Sequence, residues 1–238
     1  MPTLTASNIT KRFEGVTALA GVDLAVAGTE VLGLIGPNGS GKTTLVNCIS
    51  GVLPIDAGEI ALDGRVLTRA SRATRARAGL ARTFQTPRLF AELTVRENVA
   101  VGLSTVPMRR SHRSERVLRL LDRLGLAEVS RQVVSSLPYG TQRRVEIARA
   151  LTGEPSVLLL DEPAAGLNDP ETAELRDLLR EIQRDDFCAI IVIDHDMSLI
   201  MEVSDRVQVL DEGKVIFTGS PDDAFKQAQV VEAYLGVD

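Results

Sequence analysis

The sequence predicts an α/β fold, with a core of parallel strands and helices that carries an antiparallel β-subdomain and an inserted helical subdomain. Three observations predict it. "SVLLLDE" (156–162) and "CAIIVIDH" (188–195) are almost unbroken apolar runs of strand length, the pattern of strands buried on both faces of a parallel sheet. Between them, "DPETAELRDLLREIQ" (169–183) sets Leu175, Leu178, Leu179 and Ile182 on one helical stripe, completing a βαβ unit. Toward the N-terminus, "LTASNITKRF", "AGVDLAV" and "GEIALDGRVL" (58–67) alternate and turn as antiparallel strands do.

The remaining elements follow in order. "EVLGLIG" (30–36) is a short apolar strand that runs into glycines, and "KTTLVNCIS" (42–50) reads as the helix it feeds. In the 169–183 helix, Asp169 is the expected N-cap and Pro170 the first helical residue. Residues 94–153 carry mostly helical patterns, including the stripe Val117, Leu120, Leu121 and Leu124 before Gly125. That segment interrupts the α/β order. The expectation is therefore one domain over 1–238, with a core from 1–93 and 154–238 and a helical subdomain over 94–153.

Composition narrows the class. A chain of 238 residues, 44% of them hydrophobic, can bury one sizeable core. No apolar run reaches the roughly 18 residues that cross a bilayer, and "MPTLTASNITKRF" has no signal-peptide h-region, so a soluble, cytosolic protein is expected. Cys48 and Cys188 lie far apart in apolar surroundings and read as buried reduced thiols. With two histidines, a His-rich metal site is not expected. A net charge of −5, few aromatics and no tryptophan argue against a nucleic-acid footprint. Arginines crowd two stretches, from Arg65 through Arg75 and Arg82 to Arg88 and from Arg109 to Arg123, and both read as solvated basic faces.

Four motifs carry chemistry. "GPNGSGKT" (36–43) fits G-x-x-x-x-G-K-[ST] and sits between a strand and a helix, the context that motif requires. Its glycines let backbone N–H groups face a phosphate, Lys42 reaches the β- and γ-phosphates, and Thr43 ligates magnesium. "VLLLDE" (157–162) places two carboxylates at the end of a buried strand. Asp161 suits the magnesium shell, and Glu162 suits a general base that polarises the attacking water. His195 ends the next buried strand, which is expected beside the first, so its imidazole falls near the γ-phosphate. Gln85, in "RTFQTPRLF", lies between a strand-like stretch and the helical segment, where it could ligate magnesium or water.

In this order, these elements resemble the nucleotide-binding subunit of ABC transporters over essentially the whole chain. The resemblance implies that Gly36, Pro37, Asn38, Gly39, Ser40, Gly41, Lys42, Thr43 and Thr44 form the Walker A loop around ATP. It implies Gln85 as the Q-loop residue, Asp161 as Walker B and Glu162 as the catalytic glutamate. "AGLND" (165–169) matches the D-loop, His195 the switch histidine, and Phe13 the aromatic that stacks on adenine. Thr43, Gln85 and Asp161 are the implied Mg2+ ligands.

"YGTQRRVEIARAL", "DEPAAGLN", "IDHDM" and "VEAYLG" are similar to the ATPases of branched-chain amino acid importers. Such ATPases work in pairs, alike or different, on two membrane permease subunits fed by a substrate-binding protein. A peripheral place on the cytoplasmic face of the membrane follows from that likeness. "RRVEIARAL" is also similar to the ATPases of lipid and lipopolysaccharide exporters, which keeps that alternative open. A non-transport ABC ATPase usually carries a long coiled coil or two ATPase units, and 238 residues hold neither. A regulator that does not hydrolyse is argued against by Glu162 and His195 together.

"LPYGT" (137–141) stands where the family has its LSGGQ signature, the loop that closes over the γ-phosphate bound by the opposite subunit. Pro138 has neither hydroxyl nor backbone N–H, Tyr139 replaces a glycine and Thr141 the glutamine. Gly140 and a helix N-terminus remain, so Tyr139 and Gly140 are expected to offer backbone dipoles to that phosphate, as a weakened signature. The family also receives a short cytoplasmic helix of the membrane subunit beside the Q-loop. Arg82, Arg88, Leu89 and Phe90 are the expected docking surface, with charges at its rim.

Overall fold

Alternation hidden inside the apolar runs decides how the central sheet is covered. The computed structural model describes residues 3–105, 109–185 and 188–235. Strands β3 (Val31–Ile35), β7 (Val157–Asp161) and β8 (Ala189–Ile193) are buried along their whole length. Val31, Ile35, Leu158, Leu160, Ile190 and Val192 point into one hydrophobic cluster, and Leu32, Leu34, Val157, Leu159, Ile191 and Ile193 into another. The sheet therefore has apolar layers on both faces, as its unbroken hydrophobic runs require.

The six strands of this sheet run in the order β10-β9-β3-β8-β7-β6, with β6 (Leu80–Arg82), β9 (Arg206–Asp211) and β10 (Lys214–Gly219) completing it. All neighbouring pairs are parallel except β9 with the edge strand β10. One face is covered by α1 (Lys42–Ile49) and by a four-stranded antiparallel sheet, in the order β2-β1-β4-β5. Its strands are β1 (Thr3–Phe13), β2 (Val16–Ala27), β4 (Ala57–Leu62) and β5 (Arg65–Val66), where the alternating segments were expected.

The other face packs helices. Between β6 and β7 the chain forms α3 (Val95–Val101), α4 (Arg110–Arg123) and α5 (Tyr139–Leu151), preceded by the short α2 (Arg72–Arg77) before β6. The stripe Val117, Leu120, Leu121 and Leu124 is buried against this cluster. Thr94 and Glu97 form a reciprocal cap on α3. Helices α6 (Asp169–Asp185), α7 (Met197–Val203), α8 (Pro221–Ala224) and α9 (Ala228–Leu235) complete the order. The family-like ending "VEAYLG" reaches α9, with its Gly236 outside the described residues. Among the described residues, no helix is long and apolar enough to cross a membrane.

Two sequence expectations need correction. The cap of α6 is Asn168, not Asp169: Asn168 Oδ1 accepts the Glu171 N–H at 3.0 Å, and Glu171 Oε2 accepts the Asn168 N–H at 3.1 Å. Both residues are good caps, and the glutamate two residues after Asp169 selects the frame that closes a capping box. Pro170 is thus the second helical residue.

The arginine-rich stretches are also not simply solvated faces. Arg75 is 3% exposed. It donates to the carbonyls of Cys48 and Ile49 at the end of α1, and to those of Thr68 and Ala70. Burial draws its pKa below the usual guanidinium value, and four carbonyls take up its donors. In the second stretch, Arg116 pairs with Glu154 and caps the carbonyls of Leu151 and Thr152, while Arg123 pairs with Glu181 at 2.7 Å. Cys48 and Cys188 are buried, and burial pushes the Cys48 thiol up to about 11.

Arg75→Ala is expected to lower the unfolding free energy by about 3 kcal/mol or more, because several buried carbonyls lose charged donors together. Denaturant titration followed by circular dichroism measures this, and a loss below about 1 kcal/mol, the size of one ordinary hydrogen bond, would contradict it.

Candidate functional site

Parallel pairing gathers strand ends at one edge of the sheet. β3 delivers the 36–44 loop there, β7 delivers Asp161 and Glu162, β8 delivers His195, and β6 leads to Gln85. The register pairs Asp161 with Ile193, and the Glu162 N–H donates to the Ile193 carbonyl at 2.8 Å.

The loop from Gly36 to Thr44 wraps the start of α1. Gly36 has a φ of 144°, and a Cβ there would collide with the carbonyl oxygen of Leu210. Gly41 has a φ of 104°, and its Cβ would meet the carbonyl of Ala18 in β2 at 2.7 Å. The loop needs glycine at both places. Lys42 Nζ folds back to donate to the carbonyls of Gly36 and Pro37, each at 2.8 Å. Burial lowers its pKa, and the negative charge of Glu162 opposes that shift. Ser40 is buried, and its carbonyl accepts the Gly213 N–H at 3.0 Å.

Glu162 is the meeting point. Gln85 Nε2 donates to its Oε2 at 2.7 Å, and His195 Nε2 lies 3.2 Å from its Oε1. Its own φ is +48°, which a non-glycine residue adopts at a cost in backbone strain. Asp194, next to the histidine, accepts the N–H groups of Ala164 and Asp196, so it ties the 164–168 loop to the end of β8. Burial raises the Asp194 pKa, and those amides offset part of the shift.

Asp161 has a partner that the sequence did not suggest. Arg82 Nη2 donates to its Oδ2 at 2.8 Å, while Nη1 donates to Asn47 Oδ1 and Ser50 Oγ, each at 2.7 Å. Arg82 is thus an internal tether rather than a rim charge of a docking surface. Leu89 also turns inward and packs on the helical cluster, which leaves Phe90, 52% exposed, and Arg88, stacked over the Phe84 ring at 4.2 Å, facing outward. Thr43, Gln85 and Asp161 line one cleft of about 280 Å³. Their hydroxyl, amide carbonyl and carboxylate oxygens are the hard donors that suit Mg2+.

Phe13 ends β1 opposite Val16, with its ring exposed and Lys11 Nζ 5.3 Å above it. The same hairpin brings Ala18 and Leu19 against Gly41. Tyr139 and Gly140 open α5. The Tyr139 hydroxyl accepts from Arg143 Nη2 at 3.1 Å and lies 3.5 Å from the Gln85 carbonyl, and Gly140 is buried against the Glu171 side chain.

This geometry agrees with what the chain is similar to. Residues 19–165 match the model of the family described as ABC transporter. The chain belongs to that family. It is 41% identical to the high-affinity branched-chain amino acid transport ATP-binding protein LivG of Salmonella typhimurium, over 99% of this chain and 98% of LivG. To the lipopolysaccharide export system ATP-binding protein LptB of Haemophilus influenzae it is 32% identical, over 99% and 98%. The solved ADP conformation of MJ1267, an ATP-binding cassette of an ABC transporter, matches with a TM-score of 0.90 at 30% identity and full coverage of both chains. The cassette thus has the ABC ATPase fold, binds ATP and is an ATPase.

The sequence pointed neither to the inward role of Arg82 nor to the pair Arg143 and Glu146 nor to the bond of Tyr234. Tyr234 of α9 accepts the Gly36 N–H at 2.8 Å, from 198 residues away. Burial raises its pKa, so the phenol stays neutral. "VEAYLG" carried the tyrosine in plain view, but nothing local pointed to Gly36.

Tyr234→Phe is expected to lower stability by about 1 kcal/mol through the lost partner of Gly36. Tyr139→Phe, whose hydroxyl accepts from the Arg143 guanidinium at 3.1 Å, is expected to lower it more, as a bond to a charged group. Paired thermal unfolding curves check the order, and equal shifts would contradict it.

Proposed function

We propose that this cassette is the ATP-hydrolysing subunit of an importer for branched-chain or related amino acids. In this reading it works through separate membrane permease subunits, at the cytoplasmic face of the membrane. It pairs with a second ATPase subunit, identical or different, and a substrate-binding protein feeds the assembly. Greater identity to LivG than to LptB supports import over lipopolysaccharide export.

The observation that carries the hydrolytic assignment is the convergence of Gln85 and His195 on Glu162. Glu162 is the general base for water, and His195 and Gln85 hold the carboxylate and the reacting groups in place. Residues 36–44 cradle the phosphates with backbone N–H groups, and Lys42 exchanges its two loop carbonyls for phosphate oxygens. Thr43, Gln85 and Asp161 would hold Mg2+, which neutralises phosphate charge when bound. Phe13 stacks on the adenine.

Tyr139 and Gly140 face the nucleotide of the opposite subunit, without the hydroxyl that Pro138 has replaced. Phe90 and Arg88 carry the docking role that was expected of four residues. Phe90 is the exposed apolar anchor of that surface.

The test is Glu162→Gln in the assembly that co-purifies with this chain, reconstituted into vesicles. The variant is expected to bind ATP as the wild type does, with turnover reduced by at least about 100-fold, the lower end for a lost general base. ATP-driven uptake of labelled leucine, isoleucine and valine should stop with it. Normal turnover would remove Glu162 from its role, and uptake of an unrelated solute alone would remove the importer assignment.

A further inference from the structure

Arg143 and Glu146 lie one helical turn apart on α5, and each side chain is 1% exposed. Arg143 Nη1 meets Glu146 Oε2 at 2.9 Å. Burying two charges is expensive, and an apolar pair of similar volume would avoid that cost but leave unpartnered the main-chain groups that these charges serve. The hydrogen bonds that remain indicate what the charges do.

Arg143 Nη1 donates to the Phe84 carbonyl at 2.7 Å, and Nη2 to the Gln85 carbonyl at 2.6 Å. Nη2 also reaches the Glu162 carbonyl at 3.4 Å. Glu146 Oε1 accepts the N–H groups of Phe84 at 3.2 Å and Arg88 at 3.4 Å. One buried pair therefore holds the main chain of residues 84–88 at both ends, together with the carbonyl of the strained Glu162. The side chains of Gln85 and Glu162 meet at 2.7 Å between those anchors.

We infer that Arg143 and Glu146 are positioning residues for ATP hydrolysis, holding the backbones of Gln85 and Glu162 at the spacing the reaction needs. Neither residue touches the nucleotide loop. Their effect passes through the two residues they hold, so the inference rests on the roles proposed above for Gln85 and Glu162. The guanidinium fork is essential to it, because a planar group with several fixed donors can serve three carbonyls and a carboxylate together, and an ammonium cannot.

The test uses the full chain and three readouts: unfolding midpoint, affinity for a fluorescent ATP analogue, and kcat. Arg143→Met alone strands a buried carboxylate and is expected to unfold more readily. The double variant Arg143→Met with Glu146→Leu removes both charges. It is expected to resist unfolding better than Arg143→Met alone yet stay below wild type, because the main-chain groups of residues 84–88 lose their partners. Its ATP affinity is expected to stay at the wild-type value. Its kcat should stay about 100-fold low, the size of a small misplacement in a reacting site. Arg143→Lys keeps the charge, and its kcat should fall by about tenfold, the equivalent of one charged hydrogen bond, with KM unchanged.

If kcat recovers with stability in the double variant, or a folded Arg143→Lys is fully active, the pair is only structural and the inference falls. Glu162→Gln measured alongside separates the two claims. Normal turnover in that variant defeats the site assignment itself, whereas an inactive Glu162→Gln beside a fully active double variant defeats only the positioning role.

Discussion

The parallel pairing of β3, β8, β7 and β6 is the constraint on which everything else in this molecule depends. Parallel strands send their carboxyl ends to the same edge, where ligands of α/β proteins bind. The 36–44 loop, the pair Asp161 and Glu162, and His195 are distant from one another in sequence, and each lies at or just beyond the carboxyl end of its strand. The apolar layers on both faces fix the register, because a one-residue slip would exchange the two clusters that the alternating side chains fill. Register in turn puts Asp161 opposite Ile193, and so Glu162 beside His195.

Around that edge, buried arginines do the joining. Arg75 binds the end of α1 to the loop and helix that follow β5. Arg82 binds α1 to Asp161, and Arg143 binds α5 to the backbone at Gln85. Each satisfies carbonyls or carboxylates that burial would otherwise leave unpaired. Tyr234 adds the C-terminal helix to the same framework through Gly36. The helical segment is thereby tied to the backbones of Gln85 and Glu162 by polar contacts as well as by packing.

The apolar strands, the 117–124 stripe and the phosphate loop were legible because their signals are local: period, spacing and glycine placement. That Asp161, Glu162 and His195 would meet was legible because two apolar runs joined by one helix predict neighbouring parallel strands, which bring their carboxyl ends together. The arginines were not. In sequence, Arg75 and Arg143 look like the charges of any exposed helix face, and an i, i+3 Arg–Glu pair looks like a surface pair. Only the fold shows that α5 is buried on the side that carries them. Asn168 was missed for a related reason, since two adjacent residues were both competent caps and the position of Glu171 decided between them.

A structure of the protein with a non-hydrolysable ATP analogue tests the central claim most directly. The account places the phosphates within the 36–44 loop and the adenine against Phe13. Lys42 Nζ should have left the Gly36 and Pro37 carbonyls that it now holds at 2.8 Å. An analogue bound elsewhere, such as in the cavity of about 530 Å³ bounded by Gly51, Asp56 and Arg69, with Lys42 unmoved, would contradict it.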